Sequence, residues 1–566
     1  MRDSPAFDSS LLRLVAASVF LFLSATSGAA DAPFHKTIDG LIEARLATDK
    51  LPAAEPASDA EFLRRLSLDL TGVIPDAVTA RAFIEDTDPK KREKLIDRLL
   101  ASEKFSQHMA IVFDVLLMER RPDSAVTTPE WRGYLAASFQ NDKPLNVLVA
   151  EILGADGVEE TLRPAAKFYL DRAVDKDTLV RDIGRLFLGI NLQCAQCHDH
   201  PDIDDYLHQH YHGLSVFVAG SKTFRQSDGK TVLQEDVLKE VEFASVFEPD
   251  KTKKTGPRLI DALMEIPEFP EGEEYVEKPS RTVRSVPKFS LRKLLSERLP
   301  TAETPEFSRN MSNRLWAMMM GRGIVHPLDM HHSANPPSHP ELLAALAGQL
   351  AASNYSVKAF LRELALSTTY QRSSLLPVGV DPEAIPVDSF AVATMKGLSP
   401  EQLFESLLTA TGAAAILEKQ IDDALLEEAT PNEEGAEPDS EKVAEARRLK
   451  RAERVAEFVT VFGSVPGQPA EDFSASLPQA LFLANSETVS GWVSAKLGNL
   501  TERLLAMQDS KQLADELFLS VLSRFPIEEE RLLVAEHLDA AGEDRGKAVV
   551  ALVWSQLASA EFRLNH

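Results

Sequence analysis

Asp59-Ala60-Glu61-Phe62-Leu63-Arg64-Arg65-Leu66-Ser67-Leu68-Asp69-Leu70-Thr71-Gly72 is the stretch that decides the fold. Phe62, Leu63, Leu66 and Leu70 recur at helical spacing, Asp59 opens the segment and Thr71-Gly72 closes it. The same pattern continues on both sides. Thr37–Arg45 reads as a helix, and Leu51–Ser58 is a Pro/Ala-rich connector. Pro75 starts a segment running through Phe83 and Ile84. Asp88-Pro89 starts another, with Leu95, Ile96, Leu99 and Leu100 on one face. Thr128-Pro129-Glu130 is a helix start with Thr128 as cap and Pro in the first turn. Leu179–Leu192 is apolar on most faces, which predicts a buried helix delivering Cys194 to its place. In the second half Thr304-Pro305 opens a helix that Gly321 and Gly323 stop. Ser338-His339-Pro340-Glu341 reads as a capping box, and Ser356 begins a further helix. Only Gly229–Phe247 alternates as strands do. The expectation is a mainly α, multi-helical two-domain protein with a small β-element near residues 229–247.

Residues 1–30 read as a signal peptide: Leu14–Leu23 is a short apolar run, and small residues lead to a cleavage point after Ala30. Export places the mature protein outside the cytosol, secreted or periplasmic, and soluble after signal cleavage. Residues 31–250 then form a first domain and 290–566 a second helical one, joined by a Pro- and Glu-rich segment at 251–289. Between Asp422 and Glu441 stand nine acidic residues and no basic one, which reads as an acidic loop at 422–441. The 61 basic against 87 acidic residues give a formal charge of −26, which excludes nucleic acid as a partner. No G-x-S-x-G, phosphate loop or H-E-x-x-H occurs, so any enzymatic activity has to rest on a haem or metal site.

That site is Cys194-Ala195-Gln196-Cys197-His198, a C-x-x-C-H string holding the only two cysteines among 566 residues. Two thiols at this spacing can bond the vinyl groups of haem c, and the adjacent His can ligate iron. A sixth ligand would come from elsewhere, for example Met311, His331 or His332. The string continues as His198-Asp199-His200-Pro201, which keeps a Zn or Fe site open. Its ligands would be drawn from the thiols, His198 and His200, with His331 and His332 from a second His cluster, His326 to His339. A plain disulfide is the third alternative. Asp202, Asp204 and Asp205 add hard oxygen ligands nearby, and His208 and His212 lie four apart on a predicted helix, Asp205–Phe217. The Pro-rich His326–His339 loop, with Asp329, is expected to pack near Cys194–His200, with Arg309, Asn313, Arg314 and Arg322 as its ion-pair or cap partners.

Longer strings carry a resemblance. They are Phe62-Leu63-Arg64-Arg65 with Leu68-Asp69-Leu70-Thr71-Gly72, Leu99-Leu100-Ala101-Ser102, and Leu188-Gly189 leading to Cys194–Pro201 and Asp205-Tyr206. In the second half they are Asn313-Arg314-Leu315-Trp316, Gly321-Arg322-Gly323, Asn335 to Leu343, Ser367 to Gln371, Leu481 to Asn485 and Ser559 to Phe562. The chain resembles planctomycete-type secreted proteins that pair two cytochrome-associated domains of unknown function. The resemblance implies no agreed activity. With the C-x-x-C-H site, the expected function is an exported redox or electron-transfer protein with a redox partner. The alternative is a non-enzymatic cell-envelope structural or interaction protein whose Cys/His cluster binds a metal or forms a disulfide.

Overall fold

The computed structural model describes residues 33–428, 440–467 and 476–566. Residues 1–30, read above as a signal peptide, lie outside them. The described chain is mainly α-helical, and its sheets are small antiparallel pairs. The β-element expected near 229–247 is a hairpin, Ser221–Arg225 with Thr231–Glu235, followed by Val241–Phe243 paired with Lys253–Thr255. No helix among the described residues is long and apolar enough to cross a membrane.

The Asp59–Thr71 helix forms as its sequence dictates. Ser58 caps it by accepting from the Glu61 amide, and Gly72 ends it in the left-handed region at φ 71°. The ring of His108 lies where a Gly72 side chain would go, so both the turn and the close approach require glycine. What periodicity does not reveal is the burial of the polar face. Every residue from Phe62 to Thr71 is buried. Arg64 donates to the carbonyls of Val521 (3.2 Å) and Phe562 (2.8 Å). Arg65 donates to those of Tyr370 (2.8 Å) and Arg372 (2.7 Å) and pairs with Glu61 at 2.6 Å. Asp69 accepts from the Tyr370 hydroxyl (2.9 Å), Lys396 Nζ (2.5 Å) and Asn565 Nδ2 (2.6 Å).

Two hydrophobic clusters result. The larger runs from Ile38 to Ala391 with Leu519 added; the smaller holds Leu398 to Phe562 together with Leu68 and Ile74. The Asp59–Thr71 helix contributes to both. The hydrophobic clusters divide near residue 395. Leu291 to Ala391 pack with the first half of the chain because the 51–58 connector hydrogen-bonds directly to them, Ala54 N to Ala391 O and Ala57 N to Gln371 O, both 2.8 Å. The 251–289 segment is itself tied down near its C-terminal end. Arg284 pairs with Asp156 at 2.7 Å, and Glu235 accepts from the Ser290 hydroxyl and the Leu291 amide.

Other expectations shift locally. The Thr128–Gln140 helix is capped by Thr127, not Thr128, because Thr127 sits three residues before Glu130 and forms the reciprocal box with it. Pro340–Ala352 has no side-chain cap, because the Ser338 hydroxyl turns to the Ile324 carbonyl. Residues 422–428 of the expected acidic loop continue the Ala414–Glu428 helix, and Ser440–Phe462 begins a new one; 429–439 lie outside the described residues.

Replacing Asp69 by Ala should lower the unfolding free energy by about 3 kcal/mol, since it leaves largely buried Lys396 without its counter-charge; urea denaturation checks this, and Asp69→Asn should lose less. A second expectation concerns acid. Burial pushes the His108 ring down to about 4 from 6.5. The unfolded chain therefore takes up this proton first, and stability falls as pH drops from 6.5 towards 4. Urea midpoints at both ends of that window should show His108→Gln losing about 2–3 kcal/mol less than the parent over it.

Candidate functional site

The approach to the cysteines is not one continuous helix. Lys176–Ile183 is α-helical, and Gly184–Leu188 widens into a π-turn. Gly189 then stops it at φ 73°. A π-turn releases carbonyls from the regular ladder, and here they are taken by the second half of the chain. Asn310 Nδ2 donates to Leu186 O at 2.8 Å, and an Arg314 guanidinium nitrogen donates to Arg185 O at 2.7 Å. The His331 amide donates to Gly189 O at 3.0 Å, and Ile190 bridges Met330. Sequence reasoning missed Asn310; its signal was the spacing to Asn313 and Arg314 on one face of Pro305–Met320.

Cys194–Gln196 then form a short 3-10 turn whose anchor is buried Ala195. Both cysteines are free and exposed. The Cys197 carbonyl accepts from the Val246 amide at 3.1 Å. His198 Nδ1 lies 2.6 Å from the Asp199 carbonyl, so Nδ1 is the nitrogen that donates to it. The His198 ring leans on Phe247 at 5.0 Å. Val246 and Phe247 are 59% and 74% exposed, an apolar shoulder beside the motif that sequence reading did not single out.

The segment after the motif folds back. His200 N donates to Tyr206 O at 2.9 Å, and His200 Nδ1 accepts from the Asp202 amide at 3.1 Å. Buried Tyr206 stands between His200 and His332, with ring separations of 6.0 and 5.4 Å, and its hydroxyl donates to His331 O at 3.2 Å. Asp205 accepts from the Ser333 amide, and the Ser333 hydroxyl, then this amide, hold its carboxyl below the usual range. Asp202 and Asp204 are exposed. The helix after them is His208–Ala219 rather than 205–217. Both His208 and His212 turn back to the motif, their Nε2 atoms 3.1 and 3.3 Å from the Gln196 carbonyl. Burial pushes His212 down to about 4, with His208 adding to the effect.

The 330–335 loop thus packs on Asp205-Tyr206, but its histidines do not converge. His331 faces inward, where burial, then Arg314 and Arg309, push it down to about 4. His332 faces Tyr206 with neither ring nitrogen hydrogen-bonded. His339 lies against Phe390 instead, 5.5 Å away, because Pro340 begins the next helix. Among the described residues no three His, Cys, Asp or Glu side chains are grouped so as to hold a metal, so His198, His200, His331 and His332 do not form one ligand set here. Tyr206 separates His200 from His332, and His331 is turned to Gly189 and Asn313. Met311 is buried in the core. Asn313 is the cap partner expected of the loop, exchanging hydrogen bonds with Val325 at 2.9 and 3.1 Å. Asp329 lies 3.9 Å from Arg185.

A Gly189→Ala side chain would meet His331 Cδ2 at 2.8 Å and Asn310 Oδ1 at 2.9 Å while holding a left-handed backbone. It should destabilise the protein by about 2 kcal/mol and speed hydrogen exchange at the His331 amide; unchanged exchange there would show that this contact does not fix the loop.

Residues 37–223 match PSCyt2, described as a protein of unknown function (DUF1549), and residues 291–538 match PSD1, described as a protein of unknown function (DUF1553). No curated protein and no solved structure matches the chain. The motif and its π-turn lie in the first match, and the Asn310, Arg314 and His331 that hold them lie in the second. The chain belongs to the planctomycete-type proteins in which these two domains of unknown function are paired.

Proposed function

We propose that Cys194, Cys197 and His198 hold a covalently attached c-type haem, and that the protein carries electrons outside the cytosol. The observation that carries this reading is the contact of His198 Nδ1 with the Asp199 carbonyl. A histidine that ligates iron through Nε2 needs its other nitrogen tied to an acceptor, which fixes the tautomer and the ring direction. The two thiols are exposed and unpaired, as thioether formation requires. Val246 and Phe247 offer the apolar surface that a macrocycle face would cover. A haem bound there supplies a one-electron couple. His332, whose buried ring nitrogens lack hydrogen-bond partners, would be the second-half histidine available as a further iron ligand.

Expression in a host able to attach haem c should give one haem per chain that survives denaturation, read from the spectrum in reduced pyridine. Cys194→Ala with Cys197→Ala should abolish it. A parent protein without haem but with one equivalent of Zn or Fe would replace this reading by the metal-site alternative. A parent with neither, and with no titratable thiol, would replace it by the disulfide.

A further inference from the structure

Behind the cysteine turn, three polar atoms meet. His208 Nε2 and His212 Nε2 are 2.9 Å apart, and each faces the Gln196 carbonyl, at 3.1 and 3.3 Å. Neutral imidazoles can make at most two of these three contacts hydrogen bonds. If both Nε2 atoms carry protons, two donors face each other across 2.9 Å. If one does, the other ring presents a lone pair to a carbonyl lone pair. If neither does, all three contacts are between lone pairs. A cation at the apex removes the conflict, because all three atoms then ligate through lone pairs and each ring keeps its proton on Nδ1.

The distances suit a first-row transition ion. Imidazole nitrogens about 2.0–2.1 Å from a metal and at right angles to each other stand about 2.9 Å apart. The two histidines come from successive turns of His208–Ala219, a rigid spacing for a two-point chelate. Phe243 stacks on the His212 ring at 4.5 Å with an interplanar angle of 9° and meets His208 edge-on at 4.8 Å. The third ligand is equally fixed: the Gln196 peptide lies in the 3-10 turn, and its side chain bonds to Asp177. The charged groups acting on the pair are Asp199 and Lys253 at His208, and Asp177 and Lys176 at His212, so acidic groups balance basic ones.

We propose that His208 Nε2, His212 Nε2 and the Gln196 carbonyl form a facial three-point site for a divalent first-row transition-metal ion, separate from the cysteine thiols and leaving the opposite ligand positions to water. The ion would sit against the back of the Cys194–Cys197 turn, where it locks the Gln196 peptide.

The test uses the full chain, without haem and with both thiols alkylated, so that it is independent of the haem reading. Zn²⁺ titrated by calorimetry should bind at one site, and His212→Gln should weaken it by roughly tenfold or more, while His332→Gln should not. Circular dichroism confirms that the variants are folded. If His212→Gln fails to fold, Cu²⁺ added to the alkylated parent decides the question, since its electron paramagnetic resonance spectrum should show splitting from two nitrogen donors. Absence of a Zn²⁺ site in the parent, equal binding by His212→Gln, or a Cu²⁺ spectrum with a single nitrogen would each overturn the proposal and leave the pair as packing for the turn.

Discussion

Everything else in this fold depends on the buried polar face of the Asp59–Thr71 helix. Arg64, Arg65 and Asp69 are taken out of water, and such groups are tolerated only where each finds partners. Their partners come from Val521, Phe562, Tyr370, Arg372, Lys396 and Asn565, segments three to five hundred residues away in sequence. The apolar stripe of the helix fills one cluster, Leu68 enters the other, and the charged groups between them fix how the two meet. Apolar contacts alone would let the clusters slide; directional bonds to carbonyls do not.

The helices were legible because their signals are local. Asp59, Gly72, Pro305, Gly321 and Ser356 act within a turn of themselves, and apolar spacing marks the faces between them. Burial of Arg64 and Asp69 was not legible, since it depends on residues near the end of the chain. The break at Gly189 was hidden for a related reason: Leu179–Leu192 is apolar on most faces, and periodicity in a mostly buried segment cannot separate a helix from an extended strand. Only the partners, Asn310 and Arg314, reveal why the turn widens there.

The candidate site divides in the same way. Cys194, Cys197 and His198 are readable as a string because haem attachment chemistry is itself local. The His326–His339 cluster is dense in histidine, yet a Pro-rich backbone points its rings in different directions, towards Gly189, Tyr206 and Phe390. Its contribution is made mainly through main-chain groups, the His331 and Ser333 amides and the His331 carbonyl. Main-chain donors leave no mark in a sequence.

The position of the division between the clusters bears on ancestry. The two matched segments, 37–223 and 291–538, do not coincide with the two clusters, because residues 291–391 share one interior with the first segment. Cutting the gene between the matches would expose Leu295, Trp316, Leu346 and Phe360 on one product and strip their packing from the other. Neither half could be inherited, shuffled or lost alone without a compensating rebuild of its core. In this chain the two matched segments are thus one packed unit, held together by a shared interior whatever task each performs.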